Sequence, residues 1–60
     1  MKKFTIRKFD GDDSYSWAVF RTQDVKGMRG IIFYGQARPV MNGMSRTEAG
    51  YQRDSLEKRS

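Results

Sequence analysis

Sixty residues without a single cysteine or histidine leave this chain few ways to hold itself together. A chain of this length buries only about 60% of the surface its unfolded form exposes, and disulfides or a metal commonly supply the missing stability. Neither is available without thiols and imidazoles. The same absence excludes zinc fingers, haem ligation, cysteine nucleophiles and a Ser-His-Asp triad. The expectation is one domain over residues 1–60, with no cofactor and no metal. Oligomerisation or a partner is the expected outside source of stability. A cysteine-free chain fits the cytoplasm. Met1-Lys2-Lys3 has no long apolar run behind it, so neither a signal peptide nor a membrane contact is expected.

Hydrophobic periodicity supplies the elements. Residues 2–9, KKFTIRKF, alternate: Phe4 and Ile6 point one way, Lys3, Thr5 and Arg7 the other. Period two marks a half-buried strand. Asp10-Gly11 is a turn signal. Residues 15–22, YSWAVFRT, read as a second strand, rich in aromatic and β-branched side chains. Gly27 and Gly30 punctuate the next connection. Residues 31–34, IIFY, form a third strand, a short continuous apolar run. Pro39 lacks an amide hydrogen and cannot sit inside a central strand, and Arg38 before it is pushed to extended geometry. Residues 38–41 fit either a short fourth edge strand or an extended crossing segment. Asn42-Gly43 then turns the chain.

Ser45 and Glu48, in S-R-T-E, have the spacing of a capping box. Met44 and Ala49 have that of a hydrophobic staple, weak because alanine is small. The helix is predicted over Arg46 to Lys58, with Gly50 inside it costing about 1 kcal/mol relative to alanine. Its apolar stripe, Ala49 and Leu56 with the stem of Arg53, is thin. The order β-β-β-α predicts an α+β domain: a small three-stranded antiparallel sheet packed on one C-terminal helix.

One helix covers one face of such a sheet. Phe4, Ile6, Trp17 and Val19 are assigned to the core beneath it, with Ile31 and Phe33. The other face then carries Lys3, Thr5, Arg7, Ala18, Phe20, Ile32 and Tyr34 and is left open. Aromatics interleaved with cations suit single-stranded nucleic acid, through stacking and phosphate contacts. Phe20, Ile32 and Tyr34 equally suit an apolar patch that pairs with a host protein, or with a second copy in a homodimer. A purely structural use, with Phe20 and Tyr34 packed on Pro39 and Met41, is the third alternative.

The net charge of +5 is concentrated mid-chain, where Arg21, Lys26, Arg29 and Arg38 face only Asp24. On the helix, Arg46, Arg53, Lys58 and Arg59 are nearly matched by Glu48, Asp54 and Glu57. A basic surplus favours acidic partners such as nucleic acid or acidic proteins, although small domains commonly carry a net charge of about 2–8 for solubility alone. Met28, between Lys26 and Arg29, is an adaptable contact for a partner surface. The acidic run Asp10, Asp12, Asp13 begins like a calcium loop, but its twelfth position is Arg21 and not a carboxylate. The glycines around Arg29 lack the lysine and helix of a phosphate loop. The carboxylates cluster in a turn or on an exposed helix, so no enzyme is expected.

The run YSWAVF, a Gly-rich basic loop and the stretch GQARPVMNGMSRTEAGYQRDSLEK together resemble small phage-type proteins with a three-stranded sheet and a C-terminal helix. The element order is also similar to sheet-plus-helix modules of DNA-binding proteins, including the integrase-arm kind. Trp17 on a strand, glycines at the hairpin and SRTEA opening the last helix carry the likeness, over residues 15–58. In those DNA-binding modules the sheet enters the groove, and Arg21, Lys26 and Arg29 correspond by order. The apolar IIFY departs from them, standing where they place polar base contacts. The expected function is non-catalytic binding of a host macromolecule by occlusion of an acidic surface. Phe20, Ile32 and Tyr34 would dock while Lys3, Arg7, Arg21, Lys26 and Arg29 steer. The alternative is a nucleic-acid module using the same face and loop.

Overall fold

Strand β1, Phe4–Asp10, pairs antiparallel with β2, Tyr15–Arg21, in the register Phe4 with Arg21 through Asp10 with Tyr15. That register fixes which side chains share a face. Phe4, Ile6 and Lys8 lie with Trp17 and Val19; Thr5, Arg7 and Phe9 lie with Ala18 and Phe20. The computed structural model describes residues 3–11 and 15–59. The remainder of the expected first turn, with the calcium-loop candidate, lies outside the described residues, as do Met1, Lys2 and Ser60.

Beyond Arg21 a 3₁₀ turn, Thr22–Asp24, bends the chain across the sheet. It returns as β3, Ile32–Phe33, then as β4, Met41–Met44, and ends in α1, Arg46–Arg59. The sheet order is β3-β1-β2-β4. β4 runs antiparallel to β2, but β3 runs parallel to β1, pairing Phe9 with Ile32 and Asp10 with Phe33. The fold is α+β with one C-terminal helix, as expected, but the sheet is four-stranded and mixed, not three-stranded and antiparallel. The cause is the second connection. It makes no hairpin with β2 but crosses over to the far edge of β1, which it reaches running in the direction of β1.

The helix packs where the alternation placed it. Val19, Met44 and Ala49 are buried, with Phe4, Ile6, Trp17 and Leu56 against them. The core assignment of Phe4, Ile6, Trp17 and Val19 therefore holds. Ile31 and Phe33 do not join them: Ile32 is the buried residue of β3, and Phe33 is half exposed.

The other face is not open. Phe9, Ala18, Phe20, Val25 and Ile32 form a second buried cluster, with Met28 and Ala37 packed against it. Phe20 and Ile32 are both at 0% exposure, and Phe9 meets Phe20 edge-on with ring centroids 5.8 Å apart. Residues 22–31 cross this face outward to β3 and residues 34–40 connect back to β4. The single helix covers one face of the sheet, and these two connections cover the other.

The fourth strand lies later than expected, at Met41–Met44 rather than 38–41. The Val40 amide donates to the Val19 carbonyl (2.7 Å), so pairing with β2 begins only past Pro39, which has no amide hydrogen to give. Asn42-Gly43 is inside this strand and makes no chain reversal. Between Trp17–Met44 and Val19–Met41, β4 spends one residue more than β2, a bulge accommodated by Gly43 at φ +78°. The Gly43 amide donates to Ser16 Oγ (3.2 Å).

Ser45 caps the helix as its spacing predicts: Ser45 Oγ accepts the Glu48 amide (3.2 Å). At the other end Glu57 reaches the first strand, its carboxylate oxygens accepting the amides of Lys3 (3.1 Å) and Phe4 (3.4 Å). Among the described residues no helix is long and apolar enough to cross a membrane.

Candidate binding groove at the edge of strand β1

Alternate residues of β1 present their backbone groups to β2 and to the other side. The Thr22 amide donates to the Lys3 carbonyl on the β2 side (2.9 Å), while the Asp10 carbonyl accepts the Tyr34 amide on the β3 side (2.9 Å). Phe4, Ile6 and Lys8 share the parity of Asp10, so their amides and carbonyls point away from β2. At Phe4 the Glu57 carboxylate meets them. At Phe9 and Asp10 β3 takes up the edge. Between these two covers, over residues 5–7, β1 has no strand beside it among the described residues.

A groove of about 640 Å³ opens along this gap. Ile6, Lys8 and Trp17 line it from the helix face, with Arg46 of the first helical turn above them. Arg7 and the segment Met28, Arg29, Gly30 and Ile31 line the opposite side. Four of these side chains are cationic, and among the described residues none is a carboxylate. Like charges gathered around one hollow repel one another and favour an anionic occupant.

The loop wall is held by Arg7. Its Nη2 donates to the carbonyls of Met28 (3.0 Å) and Gly30 (2.6 Å), and its Nε also donates to Gly30 (3.2 Å). The planar guanidinium suits this double grip, since its donors lie in a fixed fork. Gly30 takes φ +71°, a conformation that L side chains rarely adopt. Arg7 thus lends the groove its charge while most of its donors are spent on the loop. Arg46 lies over Trp17, its guanidinium carbon 5.5 Å from the ring centroid. That contact, worth about 0.5–1 kcal/mol at an exposed site, occupies the face of the indole that a stacking ligand would use.

The sequence-predicted residues are dispersed. Arg7 and Arg29 come together in the groove. Phe20 and Ile32 lie in the second core and present no surface. Lys3 is exposed at the start of β1, its amide on Glu57. Arg21 lines a separate small hollow with Asp24, Arg38, Pro39 and Val40. Lys26 is exposed on the second connection. Tyr34 is 61% exposed and shares another hollow, of about 400 Å³, with Phe9, Gly35, Ala37, Arg38 and Pro39.

Lys8, Trp17 and Arg46 complete the groove but are not predicted as site residues. The Lys8–Trp17 cross-strand pair follows from the hairpin register, which alternation alone leaves undetermined. Arg46 is a helix-start residue whose place over Trp17 depends on how α1 docks. No family model matches this chain, and neither does any curated protein or solved structure.

Proposed function

We propose that this chain is a small non-catalytic binding protein that takes an acidic macromolecule at the β1-edge groove and acts by occluding the acidic surface it covers. The observation that carries the proposal is the lining: Arg7, Lys8, Arg29 and Arg46 around an apolar floor of Ile6, Trp17, Met28 and Ile31, with no carboxylate among the described lining residues. Guanidinium and ammonium groups give charge-assisted contacts to carboxylate or phosphate. Aliphatic and indole surface adds burial. These are binding groups. Occlusion of a host macromolecule is also what the resemblance to small phage-type proteins implies.

Nucleic acid is the second reading, because the Gly-rich loop supplies Arg29 and β2 supplies an aromatic ring to the same groove. It no longer has an open sheet face to use, and the ring it would stack on carries Arg46.

The test is a titration of isotope-labelled protein with polyglutamate and with oligothymidylate at low and at moderate salt. The amides of Arg29, Gly30 and Arg46 and the Trp17 indole N–H are expected to shift together. An Arg29→Ala, Arg46→Ala double variant is expected to weaken the binding roughly tenfold or more, at about 1 kcal/mol for each lost charge-assisted contact. Shifts scattered evenly over the basic surface, or unchanged binding by the double variant, would remove the groove from consideration.

A further inference from the structure

We propose that the groove recognises an acidic protein segment through one large aliphatic side chain, seated on the apolar floor between Arg29 and Arg46 with carboxylates to either side of it. The proposal rests on the groove being the binding site and names what that site selects. Three observations lead to it. First, the floor has apolar surface to spare. Ile6, Trp17, Met28 and Ile31 are each only half-buried. Ile6 and Trp17 also pack against the core under the helix, and Met28 against the second core. Ile31 packs against neither cluster. Core packing does not account for an isoleucine at this place, whereas a ligand that covers it removes its surface from water.

Secondly, two of the four cations keep their donors. Arg7 spends its Nε and Nη2 on the carbonyls of Met28 and Gly30, and Lys8 has an interaction within the chain. Neither is counted toward the ligand. Arg46 lies over the Trp17 ring and Arg29 is exposed, and among the described residues neither guanidinium donates to a protein oxygen. A guanidinium over a ring still has N–H donors for a carboxylate. Arg29 comes from the loop wall and Arg46 from the first helical turn, so carboxylates are met on two sides of the floor.

Thirdly, the hollow is larger than a lone carboxylate needs. Its volume of about 640 Å³ falls within the roughly 300–1,000 Å³ of pockets that enclose apolar groups. An apolar centre inside a charged rim is the usual anatomy of a protein–protein contact. Nucleic acid fits this place less well. It brings phosphates for the arginines but no aliphatic group for Ile31 and Met28, and the indole face on which a base would stack carries Arg46.

The experiment uses the full chain and three probes: an end-blocked pentapeptide with leucine between two pairs of glutamates, the same peptide with alanine at its centre, and oligothymidylate. The two peptides carry equal charge. The leucine peptide is expected to shift the Arg29 and Arg46 amides and the Trp17 indole N–H, and to give contacts between its methyl groups and those of Ile31. The alanine peptide is expected to shift the same amides with about fivefold weaker affinity, since it buries less apolar surface. In Ile31→Ala the two peptides should bind nearly alike. Equal affinity for both peptides in the unaltered chain would overturn the aliphatic anchor while leaving an acidic-ligand groove in place. A leucine preference that survives Ile31→Ala undiminished would overturn the assignment of the anchor to this floor. Tighter binding of oligothymidylate at the same residues would overturn the proposal in favour of nucleic acid. Failure of all three probes to shift the groove would overturn both the anchor and the binding site itself.

Discussion

Arg7 shows how a cation can belong to a site without being free to serve a ligand. Its side chain leaves β1 toward the second core and closes on the carbonyls of Met28 and Gly30, fixing the loop that carries Arg29. Removing it leaves the part-buried Met28 carbonyl and the exposed Gly30 carbonyl without that donor. Arg7→Ala is therefore expected to destabilise the chain by about 1 kcal/mol. Amide exchange in residues 28–31 should quicken. Arg7→Lys, which keeps the charge and loses the fork, should recover the electrostatics of binding but not the exchange protection. A urea titration read beside the exchange profile separates the two. Equal protection in the lysine variant would show that the charge, and not the double grip, orders the loop. Alternation alone places Arg7 on the face opposite Phe4. Its partners are legible only in three dimensions, because they lie more than twenty residues along the chain.

At the scale of elements, the helix is the part most legible in the sequence and the part least able to stand alone. Ser45 capping was readable from S-R-T-E, and the start at Arg46 followed. Yet only Ala49 of the helix is fully buried, and a helix of this length is marginal in water without tertiary packing. Beside the packing of Ala49 and Leu56, the cap next to Met44 and the Glu57 carboxylate on β1 fasten it. Ser45→Ala is expected to cost about 1 kcal/mol. Glu57→Ala should cost a similar amount, typical of a partly exposed hydrogen-bonded group, and should loosen Lys3 and Phe4 specifically. Thermal melts of the two single variants and the double one check this. Near-additive losses are expected, since the sites lie at opposite ends of the helix. The two short strands were legible only in part: the apolar run IIFY marked a strand that contains β3 but not its parallel pairing, and β4 lies past most of the residues 38–41 offered for it. Neither β3 nor β4 has a period of its own to read. They exist because β1 and β2 offer edges, and because the Tyr34 and Val40 amides find Asp10 and Val19 there. The mid-chain glycines and Pro39 suggested loops, and loops they are; nothing local indicated that these loops would act as the second layer of the domain.

The whole molecule reverses the role of its second apolar face. Expectation made Phe20, Ile32 and Tyr34 a docking platform that a partner would have to cover. Instead the two connections cover it, and the radius of gyration, 10.6 Å, matches the roughly 10 Å of a compact chain this long. Both apolar faces of the sheet are thus covered within the chain. Phe20 and Tyr34 now separate cleanly. A buried phenylalanine cut to a small side chain costs about 3–5 kcal/mol, before the hydroxyl of serine adds its own desolvation. A domain under about 70 residues rarely has more than 3–5 kcal/mol to lose. Phe20→Ser is thus expected to unfold the chain, seen as loss of amide dispersion, while Phe20→Leu keeps the fold and the groove. Tyr34→Ser, at a mostly exposed position, should change stability by no more than about 0.5 kcal/mol and leave binding at the groove untouched. A folded Phe20→Ser variant that has lost only its ligand would mean that residues 22–40 lift away and that the face beneath them is the true docking surface. The Arg7 clamp opposes that opening, since its guanidinium ties residues 28–30 to β1, so weakening the clamp and truncating Phe20 should compound each other's effect on stability.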